Sequence, residues 1–212
     1  MDECCSSKQS ELEKIARQQD QRRVLTIVLA INAVMFAGEF TAGVIAGSVA
    51  LMADAVDMFG DAMVYGLSLY ALDRSERWRN GAALAKGIFI LIFGLGVLVQ
   101  VANKIQNGVP PSSTTMLAVG AVALAANLVC VSLLWRFRKQ DLNMSSTFEC
   151  SRNDVLANCG VLVAAGGVAL LNSAWPDIIV GLVIAALFLR SAYIALRQAW
   201  PHSGMRRAPA SK

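Results

Sequence analysis

Two pairs of acidic or thiol side chains in this sequence have the spacing of neighbours on a helix. Asp57 and Asp61 are four residues apart, and so are Cys150 and Asp154. Residues four apart share one helix face, so each pair directs two donors the same way. Three carboxylates and one thiolate make four ligands, as a tetrahedral metal site needs, and a thiolate favours softer divalent ions such as zinc or cadmium. The sequence therefore predicts metal binding by these four residues.

These residues also have a purely structural interpretation. Cys150 taken alone could be a small packing residue, and the aspartates could pair with a buried base. The basic residues inside the apolar stretches are Lys86, Arg152 and Arg190. Each falls within about two turns of a polar end, where a long side chain can reach water. The deep interior is therefore acidic, which favours a path for cations over structural ion pairs.

Other polar residues extend these helix faces at steps of three, four or seven. The secondary or gating candidates are Asp54, Asn158, Glu39 and Asn32. Lipid cannot accept polar faces of this kind, so they must point at one another or at water. Glu39 could serve proton access or hold its helix in place. Asn158, like Asn127, could simply bond between helices.

The N-terminus carries a separate cluster of metal-binding residue types. Cys4 and Cys5 follow Asp2 and Glu3 directly. Such a tail could capture metal and pass it to the interior, but it could equally be an unstructured tail with reduced thiols.

The elements that position these residues are long and apolar. Hydrophobic residues make up 56% of the 212 residues and charged residues only 16%, against about 25% charged in soluble domains. A helix needs about 20 mostly apolar residues to cross a bilayer. Six stretches qualify, near Val24–Ala46, Val49–Leu72, Ala82–Ala102, Met116–Trp135, Met144–Leu171 and Asp177–Leu196. The predicted fold class is thus an all-α integral membrane protein, a bundle of six transmembrane helices.

The basic residues between these stretches support that count. Lys and Arg gather before the first stretch, in the second and fourth connections and after the last stretch, whereas the other three connections hold only Lys104. Because positive residues collect in cytoplasmic loops, both termini are predicted to be cytoplasmic. The expected organisation is a leader over residues 1–23, a transmembrane domain over 24–198 and a short tail over 199–212.

Composition also argues against other classes of protein. The net charge of +4 is spread over loops and tails and forms no basic stripe, so nucleic acid is not an expected partner. The five cysteines are odd in number and scattered through apolar segments, so they suit no disulfide framework. A lipid bilayer is the predicted surroundings, and the inner membrane of a bacterium the predicted location.

These residues, taken as a set, resemble the cation diffusion facilitator family. The segment from Gly47 to Asp61 resembles its second helix, which carries His or Asp, three residues, then Asp. Cys150 to Asp154 resembles the matching pair on its fifth helix, and Gly38-Glu39 followed by Gly43 resembles its first. The resemblance covers roughly residues 24 to 198. It implies a six-helix exporter of zinc-like cations, dimeric and driven by proton antiport.

Two departures from the family pattern affect these expectations. Cys150 stands where the family usually has His or Asp, which bears on the choice of ion and the number of protons. The family's usual cytoplasmic C-terminal metal-binding domain is not found, so a homodimer is expected to form through the membrane helices.

The predicted function is therefore proton-coupled export of Zn²⁺ or Cd²⁺ by alternating access, without a prosthetic group and without enzymatic activity. The alternative is a membrane metal sensor or partner subunit that binds metal without transport. A channel would conduct downhill without proton coupling. An intramembrane aspartyl protease is disfavoured because Met58-Phe59 precede Gly60-Asp61 and no Tyr-Asp pair occurs.

Overall fold

The computed structural model of the protein describes the backbone of residues 2–71, 76–139 and 142–199. It describes the side chains of residues 18–63, 66, 69, 88–89, 91–139, 144–145, 147–190 and 193. The described residues form six α-helices and no strand. The helices are α1 (Asp2–Ala46), α2 (Val49–Ala71), α3 (Glu76–Asn107), α4 (Ser113–Trp135), α5 (Leu142–Leu171) and α6 (Trp175–Ala199).

The all-α prediction is confirmed, and each predicted stretch coincides with one helix. Several helices extend beyond the apolar stretch that predicted them, most of all α1, which begins at Asp2 and continues through the predicted leader. Among the described residues, three segments are long and apolar enough to cross a membrane: Gln18–Ala46, Ser113–Trp135 and Thr147–Leu171. Helix α2 is long enough as well, but it carries three aspartates within 23 residues.

Four helices enclose the interior in which the predicted ligands lie. Helix α1 packs against α2 and α4, while α5 also packs against α2 and α4, so these four form a closed ring of neighbours, here called the four-helix ring. Helices α3 and α6 pack on each other and cover α2 from outside, and α6 also contacts α5. The predicted ligands come from α2 and α5, which face each other within the ring.

Apolar contacts fix the positions of the helices around this ring. One buried cluster joins α2 to α3, α5 and α6 and includes Leu51, Val97 and Val161. A second joins α1, α4 and α5 near the opposite end. Five phenylalanines fill the junction of α1, α2 and α3, and the closest two rings, those of Phe36 and Phe59, have centroids 4.7 Å apart. Phe59 is two residues from both Asp57 and Asp61, so this aromatic packing fixes the segment that carries them.

The connection from α1 to α2 is a tight turn that depends on one glycine. Gly47 has φ 65°, a left-handed conformation that glycine adopts without steric cost. The amide of Ser48 donates to the carbonyl of Gly43 at 2.9 Å, and that of Gly47 to Val44 at 3.2 Å. This pair of bonds is the Schellman arrangement, which satisfies the last carbonyls of a helix. Only two residues, Gly47 and Ser48, therefore separate α1 from α2.

A buried ionic cluster joins three helices at the distal end, the end of the bundle where α2, α4 and α6 begin. Its members are Ser48, Lys104 and Asp177, which are 0%, 8% and 0% exposed. Asp177 accepts from Ser48 Oγ at 2.6 Å, from Lys104 Nζ at 2.9 Å, and from the amides of Val49 and Ala50 at 2.9 and 3.0 Å. Lys104 also donates to the carbonyl of Gly47.

This Asp177 cluster caps α2 with a side chain from α6. The first amides of a helix have no partner within the helix, and an anion at this end is also favoured by the helix dipole. The backbones approach closely here, since a Cβ atom on Gly181 would lie 3.0 Å from the backbone nitrogen of Ala50. The cluster thus fixes the position of α2 along the bundle axis relative to α3 and α6. It thereby also fixes the level at which Asp57 and Asp61 lie.

Replacement of Asp177 by Asn should destabilise the protein strongly. The substitution leaves the ammonium of Lys104 buried without its counter-ion, and removal of one partner of a buried pair costs about 3–5 kcal/mol. Thermal or denaturant unfolding of the purified protein in detergent measures the change.

The matched control is Asp20→Asn. Asp20 forms an exposed pair with Arg136 at 3.7 Å, and such a pair contributes about 0–1 kcal/mol. Adding Lys104→Met to Asp177→Asn should restore part of the lost stability, because no charge is then left unpaired. Equal effects of Asp177→Asn and Asp20→Asn would contradict this account of the cluster.

Candidate metal-binding site

The interior of the four-helix ring holds carboxylates from three of its helices. Glu39 of α1 is 0% exposed, Asp54 and Asp61 of α2 are 1% and 8% exposed, and Asp154 of α5 is 2% exposed. Asp57 is half-buried. Side chains of Asp and Glu are almost never fully buried unless they have a partner. The predicted acidic interior is therefore present, and it spans α1, α2 and α5.

The polar face of α5 also points inward. Asp154 and Asn158 are buried, as the helical spacing predicts, and Cys150 is half-buried. Thr147, three residues before Cys150, is buried as well. Ser151 is buried as well at 0% exposure, although the sequence spacing did not place it on this face. The inward surface of α5 is thus wider than the face that carries Cys150, Asp154 and Asn158.

The carboxylates are close enough to interact electrostatically across the ring. Asp154 is repelled by Asp61 most strongly, then by Asp57, Asp54 and Glu39. Asp54 is repelled by Glu39 and Asp57. Asp154 of α5 therefore lies within electrostatic range of Asp57 and Asp61 of α2, and like charges gathered in this way attract a cation.

Many polar atoms in the ring have no hydrogen-bond partner within the structure. These are both oxygens of Glu39 and of Asp54, Oδ2 of Asp154, Ser151 Oγ, Oδ1 of Asn32 and of Asn158, and both polar atoms of the Asn127 side chain. Asn32 and Asn158 donate only to carbonyls of their own helices, at 2.9 and 2.8 Å. A buried polar atom without a partner costs about 1–3 kcal/mol. The ring thus gathers unsatisfied oxygen atoms that could act as metal ligands.

The predicted ligands do not converge on one point among the described side chains. Among the described side chains, no three Asp, Glu, Cys or His residues are grouped closely enough to hold a metal ion. Asp57, Asp61 and Cys150 each have other interactions in the structure. Metal ligation by Asp57, Asp61, Cys150 and Asp154 therefore stays a prediction, as do the roles of Asp54, Asn158, Glu39 and Asn32.

Basic side chains in the described part of the chain lie away from the acidic interior. Arg152 is exposed and pairs with Glu149 one turn earlier on α5. Arg190 is exposed, and the buried Lys104 belongs to the Asp177 cluster at the distal end. Lys86, Cys4 and Cys5 lie outside the described side chains, so N-terminal metal capture stays a prediction.

Sequence reasoning gave too little weight to two features. Asn127 of α4 is 0% exposed, and no interhelical hydrogen bond of the expected kind is found for it. The Asp177 cluster was not foreseen at all, because Lys104 appeared as a loop residue and Asp177 only as the start of an apolar stretch. An aspartate in the first turn of α6 is the one local signal that could have indicated a capping role.

Comparison with known proteins gives one family match over most of the chain. The model of the cation efflux transmembrane domain matches residues 25–201. The chain is 24% identical over 184 residues to the "Cadmium, cobalt and zinc/H(+)-K(+) antiporter" of Bacillus subtilis (strain 168), a match that covers 78% of this chain and 59% of that protein.

Two further relatives show the same pattern. "Metal cation efflux system protein CzcD" of Cupriavidus metallidurans is 25% identical over 187 residues, with 82% of this chain and 59% of that protein covered. "Zinc transporter ZitB" of Escherichia coli (strain K12) is 24% identical over 195 residues, with coverage of 85% and 62%. The chain thus spans about three-fifths of the length of these curated relatives.

Replacement of Asp54 by Asn should raise the stability of the metal-free protein. Both carboxylate oxygens are buried without a hydrogen-bond partner and are repelled by Glu39 and Asp57, so the neutral amide removes an unfavourable charge. We expect a gain in the free energy of unfolding, measured in detergent with a metal chelator present. A loss of stability would show instead that Asp54 has a stabilising partner.

Proposed function

Because the chain belongs to the cation efflux transmembrane domain family, we propose that it exports divalent transition-metal cations, zinc or cadmium above all, in exchange for protons. The observation that carries the proposal is the buried acidic interior of the four-helix ring, where Glu39, Asp54 and Asp154 are at most 2% exposed. Charged side chains buried within a membrane bundle are costly and mark ion paths. The names of two relatives, a cadmium, cobalt and zinc/H(+)-K(+) antiporter and a metal cation efflux system protein, agree with this chemistry.

The transported ion is proposed to bind between α2 and α5. Asp57, Asp61, Cys150 and Asp154 would be its ligands, with Asp54, Glu39, Asn32 and Asn158 in secondary or gating roles. The mutual repulsion of Asp154, Asp61 and Asp57 supports this choice, since a divalent cation neutralises it. A closing movement of α5 toward α2 would bring the two pairs around one ion.

Proton exchange follows from the chemistry of these ligands. Carboxylates and thiols must lose their protons to bind metal, so protons and metal compete for the same groups. Moving a cation out against an inside-negative potential costs about 2.3 kcal/mol per charge per 100 mV. A site that binds metal on the inner side and takes up protons on the outer side lets the entry of protons drive the export of metal. Alternating access of the four-helix ring to the two sides is the proposed movement.

The proposed topology has all six helices crossing the membrane, with both termini in the cytoplasm. Helices α2, α3 and α6 would then surround or cover the acidic interior within the bilayer, and the Asp177 cluster would lie at the outer surface. The cluster of three aspartates in α2 is tolerated there because its polar face points into the ring. A homodimer through membrane helices in a bacterial inner membrane completes the proposal.

Zinc uptake into proteoliposomes with and without an imposed pH gradient tests the function. Wild-type uptake should follow the gradient, and Asp57→Ala should abolish it, because a carboxylate ligand is lost. Cys150→Ser should retain transport and lower the preference for cadmium over cobalt, because an oxygen replaces the softer sulfur. Asp20→Asn, which changes an exposed carboxylate, should transport like the wild type.

Other outcomes would replace the proposal with a different function. A folded protein that binds zinc but carries none would be a metal sensor or partner subunit. Zinc flux that ignores the pH gradient and runs only downhill would indicate a channel.

Reporter fusions to the two termini test the topology. A fluorescent protein that matures only in the cytoplasm should be bright at either end, and alkaline phosphatase, which is active only outside, should be inactive there. An active phosphatase fusion at either terminus would contradict an even number of spans with cytoplasmic ends.

A further inference from the structure

We propose that Asn127 of α4 belongs to the coordination shell of the transported cation, because its buried carboxamide lies at the level of Asp154 in the four-helix ring. This inference rests on the proposed function and adds a neutral oxygen donor from the one helix of the four-helix ring that contributes no carboxylate. It also makes α4 a determinant of ion choice.

The position of Asn127 on α4 places it on the inward face. The buried residues of this helix recur at steps of three and four: Met116, Gly120, Ala123, Asn127, Cys130 and Leu134. Helix α4 packs on α5 and α1. Asn127 is the one carboxamide in this otherwise small or apolar row, and it is 0% exposed.

Contacts on either side of Asn127 place it level with Asp154. Gly120, two turns earlier on α4, lies against α5, where a Cβ atom would be 3.2 Å from Leu162 Cδ2 and 3.4 Å from Val161 Cγ1. Two turns back along the antiparallel α5 from these residues lies Asp154. Cys130, one turn beyond Asn127, interacts electrostatically with the Asp154 carboxylate. Asn127 and Asp154 are therefore at one height in the bundle.

Helix α1 brings a second carboxamide to the same height. The amide of Ser112, just before α4, donates to the carbonyl of Ala46 at the end of α1 at 3.1 Å, which aligns the two antiparallel helices. Asn32 is fourteen residues from Ala46 and Asn127 is fifteen from Ser112. Asn32, Asn127 and Asp154 thus approach one level of the ring from α1, α4 and α5.

The polar atoms at this level have no hydrogen-bond partners in the structure. They are Oδ1 of Asn32, Oδ2 of Asp154, and both Oδ1 and Nδ2 of Asn127. A structural asparagine between helices would use its amide and its carbonyl in bonds across the interface. Asn127 makes neither, although each unmet polar group costs about 1–3 kcal/mol. Its oxygen is a donor available to a cation held by the neighbouring carboxylate.

A neutral oxygen has a specific effect on ion choice. It adds a ligand atom without adding to the repulsion among Asp154, Asp61 and the other carboxylates. Oxygen also favours harder ions, whereas the thiolate of Cys150 favours softer ones. Asn127 should therefore contribute more to the binding of cobalt than to that of cadmium.

Asn127→Leu tests this inference, because leucine has the same branched skeleton without polar atoms. Calorimetric titration of the purified full chain in detergent should show Co²⁺ affinity weakened at least by the roughly 10- to 100-fold that is typical of losing an outer-shell partner of a bound metal. Cd²⁺ affinity should fall less. The metal-free protein should melt at the same or a higher temperature, since no hydrogen bond is lost. Asn127→Asp, which keeps the oxygen, should bind Co²⁺ at least as tightly as the wild type.

Ser132→Ala is the matched control on the same helix, because Ser132 is exposed and bonds only to the carbonyl of Leu128. It should leave both affinities unchanged. Co²⁺ and Cd²⁺ affinities of Asn127→Leu within twofold of the wild type would overturn the inference. A lower melting temperature with equal losses for both ions would also overturn it, and so would weakened Co²⁺ binding by Asn127→Asp. Asp57→Ala, titrated in parallel, tests the proposed function separately. If this variant binds and transports metal normally, the proposed function is wrong, independently of the results for the Asn127 variants.

Discussion

Carboxylates that cannot face hydrocarbon impose the constraint on which this architecture depends. Three helices carry them inside long apolar stretches, and a fourth carries a carboxamide, so these helices must turn their polar faces toward a common interior. The four-helix ring is the arrangement that results, with Glu39, Asp54 and Asp154 buried inside it. Helices α3 and α6, which contribute none of these residues, pack outside the ring. The need to bury these carboxylates thus explains why the four helices of the ring pack around a common interior.

In that arrangement, the side chains at the proposed ion site interact unfavourably with one another and with their surroundings. Gathered carboxylates repel one another, and several of their oxygens lack hydrogen-bond partners. The Asp177 cluster is the opposite case, since the carboxylate there accepts from two amides, a hydroxyl and an ammonium group. One end of α2 is therefore firmly held, while its middle carries charges that a cation would stabilise. A rigid anchor beside an unsatisfied centre suits the proposed binding site, which would also have to release its ion.

Much of this could be predicted from the sequence, and for identifiable reasons. The spacing of Asp57 with Asp61 and of Asp154 with Asn158 is local, so helical periodicity alone placed these side chains inward. The apolar stretches marked all six helices. Their polar ends, such as the N-terminal part of α1, gave no apolar signal, so the predicted stretches are shorter than the helices. The family resemblance carried by the α2 and α5 pairs agrees with the match over residues 25–201.

The rest could not be predicted because it depends on how separate helices are aligned. Lys104 reaches Asp177 across 73 residues of sequence, and nothing near either residue indicates the other. Asn127 has an ordinary place in an apolar helix, and its lack of partners is visible only when α1 and α5 are set beside it. The distances that decide metal ligation depend on the separation of α2 and α5, which periodicity does not determine.

The capping of α2 by Asp177 also sets an order for biosynthesis. Val49 and the carboxylate that accepts its amide are 128 residues apart, so the second helix is made long before its cap. At about 5–20 residues per second, the ribosome needs several seconds or more to supply it. During that interval a helix with three aspartates has an unsatisfied first turn. Until α6 is made, water or another part of the nascent chain must satisfy the first amides of α2, and a chain halted before α6 would lack the cap that holds α2 in position.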